Sequence, residues 1–197
     1  MTQRDDISDK LIHFTRGETY HDAFAKLRAI LNSRRLLAGN GMIRGGYSCV
    51  CFTEAPLPAL SAGFLNPQSF TRYSPFGLMF DKSWIYMQGG RPVIYQSEGE
   101  FNLLPEIIRW RHVRYEPLEP SVVDFTWERE WRIRCTELCF SPRETAIVVP
   151  NTTWAEHLNN LHDAEQDADV QNYSLIFKHD IAEQYRSTFP WRIVSLS

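Results

Sequence analysis

The stretch Phe125–Arg134, FTWEREWRIR, decides how this chain is read. Side chains of a β-strand alternate between its two faces. As a single strand, the segment sets Glu128, Glu130, Arg132 and Arg134 in a row on one face. The other face carries Trp127, Trp131 and Ile133, with Arg129 the one exception. The apolar back predicts packing on a core. The charged front faces water or lines a cleft, and the two outcomes imply different proteins.

The totals bound the answer. The chain has 197 residues, 43% hydrophobic, 13% aromatic and 23% charged, with a net charge of −3. That balance predicts one globular domain with a sizeable core and excludes a disordered chain. A pI near 6.1 gives no global basic signature, so nucleic-acid binding requires a local basic patch. MTQRDDISDK is polar and is followed by no apolar stretch, which predicts neither a signal peptide nor a membrane span and a cytoplasmic location. Cys49, Cys51, Cys135 and Cys139 are spaced C-x-C and C-x-x-x-C, unlike a zinc ribbon. They read as reduced thiols that behave as small buried hydrophobes, with a shared four-cysteine site the alternative. No metal is expected.

Outward from the opening stretch, short strands alternate irregularly with two main helices. Leu11–Thr15, LIHFT, reads as a strand. His21–Arg34 has helical periodicity, with Ala23, Phe24, Leu27, Ile30 and Leu31 on one stripe. Residues 36–47 form a glycine-rich loop that matches neither a P-loop nor GxGxxG. Tyr47–Glu54 is β-rich, Leu57–Gly63 reads as a short helix and Asn66–Ser74 as a loop. A strand, a short helix or turn and a Gly-Gly pair lead to a strand over Pro92–Gln96. The segment 100–117 is apolar, helical or extended, and studded with arginines. Glu144–Pro150 reads as a strand, and Asn151 as the N-cap of a helix over 152–167. Tyr173–Ile181, YSLIFKHDI, reads as a strand or helix start, and WRIVSL as a terminal strand. The sum is an α+β fold, a single domain over 1–197 with a core at about 10–150 and a helix-strand extension over 151–197.

Three polar positions interrupt the apolar strands: His13, Thr53 and the Glu128–Glu130 pair. In that order they resemble the ADP-ribosyltransferase superfamily, with His13 in LIHFT, Phe52-Thr53 in CVCFTE and Glu130 in EREWRI. The first strand, GRPVIYQ and the Glu-Trp-Arg-Ile run look like the DarT-like toxins. CFTEAPL and FGLMF…GGRPVIY resemble AbiGi-related phage-defence proteins. The resemblance covers about residues 10–150.

It implies a split, mixed or antiparallel β-core flanked by a few helices, and NAD as the substrate that donates ADP-ribose. Glu130 is then catalytic, stabilising positive charge on the ribose as the nicotinamide bond breaks. Thr53 supports Glu130, and Glu128 assists it towards an acceptor. His13 and Thr15 orient the cofactor, with His13 donating to a ribose. Arg44 meets the diphosphate, and Tyr47 or Tyr95 stacks on nicotinamide. The basic run RWRHVR, with Arg109, Arg111 and Arg114, grips a nucleic-acid acceptor, or else forms a solvated face paired with acids. The role implied is a toxin or effector in phage defence or a toxin–antitoxin pair, partnered by an antitoxin protein.

Other classes fit some of the same residues. A metal-dependent nuclease finds acids in Asp124 and Glu128, but position 130 is Glu where that motif needs Lys. A metal-independent ribonuclease uses His13, Glu130 and Arg132. A non-catalytic binding module spends Glu130 on an arginine and leaves no open cleft.

Overall fold

The computed structural model describes residues 7–56, 74–120 and 122–197. The helix expected over Leu57–Gly63 and nearly all of the 66–74 loop lie outside the described residues. Eleven strands are described: β1 Lys10–Phe14, β2 Arg35–Leu37, β3 Cys49–Thr53, β4 Gly77–Asp81, β5 Arg91–Pro92, β6 Ile94–Gln96, β7 His112–Arg114, β8 Glu130–Arg134, β9 Glu137–Cys139, β10 Thr145–Val149 and β11 Arg192–Ser195. The helices are α1 Tyr20–Ser33, α2 Lys82–Met87, α3 Thr152–Ser174 and α4 His179–Ala182.

Seven strands form one sheet in the order β11-β10-β4-β1-β3-β8-β5, antiparallel except between β10 and β11. The pairing is uneven. β1 meets β4 in five register pairs, and β3 meets β8 in five, but β1 and β3 share only Ile12↔Thr53. The sheet parts beyond that pair. Two small sheets, β2-β9 and the parallel β6-β7, flank it.

FTWEREWRIR is not one strand. Thr126–Glu128 is a 3-10 turn, and Asp124 Oδ1 accepts from the Thr126 amide at 2.8 Å and its hydroxyl at 2.6 Å. Arg129 is left-handed (φ 44°, ψ 51°), and β8 starts only at Glu130. This corrects the row of four charges: a left-handed residue breaks strand alternation, so Glu128 does not share a strand face with Glu130. The expected strand at Pro92–Gln96 also divides. β5 pairs with the edge of β8, where Pro92 needs no ladder donor, and β6 turns away to pair with β7. Residues 106–111 are 3-10 helix and 112–114 are strand, so the basic run is helical and extended in turn. YSLIFKHDI holds the end of α3 and the start of α4.

The core lies between the sheet and the helices. Leu11, Leu78, Phe80, Phe52, Trp131 and Ile133 meet Phe24 and Leu27 of α1. Thr19 caps α1 by accepting from the Asp22 amide at 3.1 Å. Asn151 caps α3 in the same way through the Trp154 amide at 3.2 Å. Trp154 then packs on Phe76 and Phe24, with ring centroids 4.9 and 5.0 Å apart. The extension over 151–197 thus shares the core and, through β11, the sheet.

One glycine sets how closely α1 approaches β1. A Cβ on Gly17 would lie 2.4 Å from the Ala23 amide nitrogen and 2.8 Å from its Cα. Both are backbone atoms that cannot swing aside. Gly17→Ala is expected to lower stability by about 2–3 kcal/mol, read as a lower urea midpoint; an unchanged midpoint would show that α1 shifts freely.

Candidate active site

Where β1 and β3 part, a cleft of about 650 Å³ opens. Its walls are β1 with Arg16, one side of α1, the 35–43 segment and β3. Glu130 stands at the end of β8. The parting leaves the Cys51 carbonyl without a strand partner on that side, and His13 Nδ1 meets it at 2.8 Å. A carbonyl only accepts, so Nδ1 carries the proton. Burial pushes the imidazole below its ordinary 6.5, the Cys51 bond opposing this and the Arg16 charge adding to it. The neutral ring therefore holds a lone pair at Nε2. Nε2 of the neutral ring can accept a hydrogen bond, whereas the resemblance implies a donating His13.

β8 sets Glu130 directly across from Thr53, and Arg132 across from Cys51. Cross-strand partners share a face, so these four, with Cys49 and Arg134, form the front of β3-β8. That front does not face water at Arg132, which is only 4% exposed. Arg132 grips both oxygens of Glu130, Nε to Oε1 at 2.8 Å and Nη2 to Oε2 at 3.0 Å. Its Nη1 donates to the Trp110 and His112 carbonyls, each at 3.0 Å. The 106–114 segment thus covers the strand front, and the planar guanidinium links it to the carboxylate.

Two neighbours fix the start of β8. The Tyr95 hydroxyl accepts from the Glu130 amide at 3.1 Å and donates to the Phe125 carbonyl at 3.2 Å. Burial, with the Glu130 and Glu128 charges adding, pushes this hydroxyl up to about 12, so it stays protonated. The Thr53 hydroxyl donates to the Glu128 carbonyl at 2.5 Å and accepts from the Ala55 amide at 3.1 Å. Thr53 therefore supports the turn that delivers Glu130, not its carboxylate.

Of the residues singled out from sequence, His13, Thr15, Thr53 and Glu130 line the cleft. The Thr15 hydroxyl lies within bonding distance of the Ala23 and Phe76 carbonyls, at 3.2 and 3.1 Å, and ties β1 to α1 and β4. The other predicted residues stand outside the lining. Arg44 pairs with Glu98 at 2.6 Å and lies 4.2 Å above the Phe101 ring. Tyr47 lies under Arg134 at 4.9 Å. Tyr95 positions Glu130 through its hydroxyl. Glu128 is buried in the turn. Arg109 donates to the Leu104 and Asn102 carbonyls, Arg111 to the Pro92 carbonyl, and Arg114 lies 3.8 Å from Glu116. These contacts tie the run to residues between 92 and 116, a use of cations that spacing does not reveal.

Three cations line the cleft that sequence reasoning missed: Arg16, Lys26 and Arg35. Lys26 also pairs with Asp22 at 2.9 Å and Arg35 with Glu137 at 3.4 Å. Only the position of Arg16 directly after LIHFT offered a signal. Cys49 and Cys51 complete the floor. Burial pushes the Cys49 thiol up to about 11 and Cys51 higher still, the Glu130 charge adding to the latter. Neither is a thiolate nucleophile at neutral pH. All four cysteines are free. Among the described residues no group of three or more His, Cys, Asp or Glu side chains could hold a metal ion, and no helix is long and apolar enough to cross a membrane.

No protein-family model, curated protein or solved structure matches this chain.

The geometry gives two expectations. Arg132→Met leaves the partly buried Glu130 carboxylate without its cation and the Trp110 and His112 carbonyls without their donor, at a cost of about 2–4 kcal/mol; a loss below about 1 kcal/mol in urea unfolding would show the fork to be slack. The unfolded chain protonates His13 near pH 6.5, whereas the folded protein resists that proton. Below 6.5 the unfolded state therefore binds more protons, and the stability due to neutral His13 falls with pH. Above 6.5 that contribution is constant. Urea midpoints between pH 7.5 and 5 should fall more steeply for the natural protein than for His13→Gln; parallel curves would mean that His13 titrates freely when folded.

Proposed function

We propose that the chain is an NAD-dependent ADP-ribosyltransferase and that the cleft between β1 and β3 takes NAD. One observation carries this reading: His13, Thr53 and Glu130, distant in sequence, reach a single cleft where the sheet parts. A cavity of about 650 Å³ is of the size used for cofactors. The seven-stranded sheet with its one-pair junction is the split core that this family would use.

In the proposed reaction the bond between nicotinamide nitrogen and ribose C1′ breaks. Its electron pair leaves with nicotinamide, and positive charge develops on the ribose. The Glu130 carboxylate stabilises that charge and accepts from a ribose hydroxyl. The Arg132 fork uses one lone pair on each oxygen and holds the carboxylate still, leaving the others for the substrate. His13 Nε2 accepts a hydroxyl of the second ribose. An acceptor nucleophile then bonds to C1′ and gives up its proton. Arg16 lines the cleft beside Lys26 and Arg35, which pair with Asp22 and Glu137, and such cations suit phosphates, in keeping with a nucleic-acid acceptor. A bacterial effector in phage defence or a toxin held by an antitoxin is the role that follows from the family resemblance.

The Glu130–Arg132 fork also favours a second reading, a binding module in which that pair is structural. Nicotinamide release from NAD separates the two. It should be measured with RNA, single-stranded DNA or cell lysate present, beside Glu130→Gln. The expected result is release that needs one acceptor and falls at least about a hundredfold in the variant. Because Glu130→Gln weakens the fork, its melting temperature must be read at the assay temperature. No release, with NAD also leaving the melting temperature of the natural protein unchanged, would remove NAD chemistry and leave the ribonuclease and the binding module.

A further inference from the structure

The turn Gly89-Gly90-Arg91-Pro92 carries the chain from α2 into the edge strand β5. It is tight: a Cβ on Gly90 would lie 2.4 Å from Ile85 Cγ2 and 2.7 Å from the Ile85 carbonyl oxygen. Arg91 leaves this turn folded back on α2. Its guanidinium lies 3.8 Å above the Tyr86 ring, and Nη1 donates to the Tyr86 carbonyl at 3.0 Å and the Gly90 carbonyl at 2.6 Å. Arg111 reaches the same edge from the 106–111 turn, its Nε donating to the Pro92 carbonyl at 2.9 Å. The carbonyls on either side of Arg91 thus anchor two guanidiniums. Burial, with the Arg91 charge adding to it, pushes the Arg111 guanidinium below its ordinary value. Like charges held this way cost free energy unless an anion joins them.

The carboxylates nearby do not fill that place. Glu130 is taken by Arg132, which faces Arg91 across the β5-β8 ladder as a third guanidinium. Glu54 is bonded to the Trp131 indole and pairs with Lys82. Glu128 is buried in the turn before β8. Glu106 is exposed and has no ion-pair partner among the described residues, but five residues of 3-10 helix, about 10 Å, separate it from Arg111. Arg109 adds a further cation, bonded to the Leu104 and Asn102 carbonyls. The neighbourhood keeps a net positive charge.

Donors also remain. Arg91 keeps Nε and Nη2, and Arg111 both Nη groups, without a protein partner among the described residues. Both residues are partly exposed. Each guanidinium can give a donor to each unesterified oxygen of one phosphate. Position then selects the phosphate. Arg91 shares a sheet face with Arg132 and so with Glu130, and its Cα lies about 8 Å from that of Glu130, two residues along and one strand across. A nucleic-acid strand held at this edge by one phosphate has a neighbouring nucleotide within reach of the carboxylate. Arg111 is the one member of the RWRHVR run in this site, and its partner comes from another element.

We propose that Arg91 and Arg111 together bind a backbone phosphate of a single-stranded nucleic acid, the acceptor strand of the transfer reaction. The choice of ligand rests on the function proposed above; the arginine pair does not.

The probe is a fluorescein-labelled single-stranded oligothymidylate or oligouridylate, read by anisotropy on the full chain without NAD. Saturable binding is expected, with hydrogen-exchange protection of residues 86–93 and 106–114. Arg91→Gln and Arg111→Gln should each weaken it at least about tenfold and lower the slope of log affinity against log salt by about 0.7. The double variant should lose less than the product of the two, because both forks hold one phosphate. Arg192 is exposed on β11, at the opposite edge of the sheet, and Arg192→Gln should bind as the natural protein does. A methylphosphonate strand, uncharged along its backbone, should not bind the natural protein, an arm that needs no variant to fold. The proposal is overturned by no saturable binding, by protection elsewhere, or by full binding of the methylphosphonate strand. Variants that bind fully, lose additively or lose no more than Arg192→Gln would also sink it. Equal binding of inorganic phosphate or of polyglutamate would make a small phosphate or a carboxylate the ligand instead. Every arm omits NAD, so failure here leaves the nicotinamide assay to be decided by itself, and the reverse holds.

Discussion

The contact between the His13 ring and the Cys51 carbonyl stands at the point on which the rest of the site depends. β1 belongs to β4 on one side, and β3 to β8 on the other. Only Ile12 and Thr53 join the halves in register. Had the ladder continued, its amides and carbonyls would have filled the space that is now a cleft. A parted ladder leaves backbone groups in need of partners. An imidazole meets the carbonyl at the junction, and burial keeps that ring neutral. The same bond keeps the sheet joined and sets the chemistry of the cleft wall.

The second half of the site rests on a buried charge. Arg132 gives donors to Glu130 and to two carbonyls of the 106–114 segment, so the guanidinium is satisfied on every side. Buried ion pairs add little net stability, but removing one partner is costly. Their value lies in fixed geometry. Tyr95 and Thr53 do similar work on the backbone, at the Glu130 amide and the turn before it. Glu130 is thereby delivered at a set height at the end of β8.

The strongly apolar and strongly charged segments are used against their sequence appearance. RWRHVR looks like a phosphate-binding face, yet Arg109 and Arg111 donate to the Leu104, Asn102 and Pro92 carbonyls and Arg114 lies beside Glu116. YSLIFKHDI reads as a strand or helix start; it holds the turn between α3 and α4, with Leu175 and Ile176 exposed. The cations that do line the cleft, Arg16, Lys26 and Arg35, lie far apart in the sequence and form no basic run together.

The sequence by itself determined the α+β class, the two long helices, the second with its cap at Asn151, and the apolar strands. Each follows from local period, local capping or side-chain polarity within a few residues. It also marked His13, Thr53 and Glu130, because a polar residue in an apolar strand stands out in one dimension. Tertiary structure alone decided that β1 and β3 part after one pair, since register depends on partners far apart in the chain. It decided that Glu128 leaves the face of Glu130, because one left-handed residue, Arg129, costs too little to be visible in a pattern of alternating charges. And it decided which arginines are free, because a guanidinium pairs with whatever carbonyl or carboxylate the fold brings near.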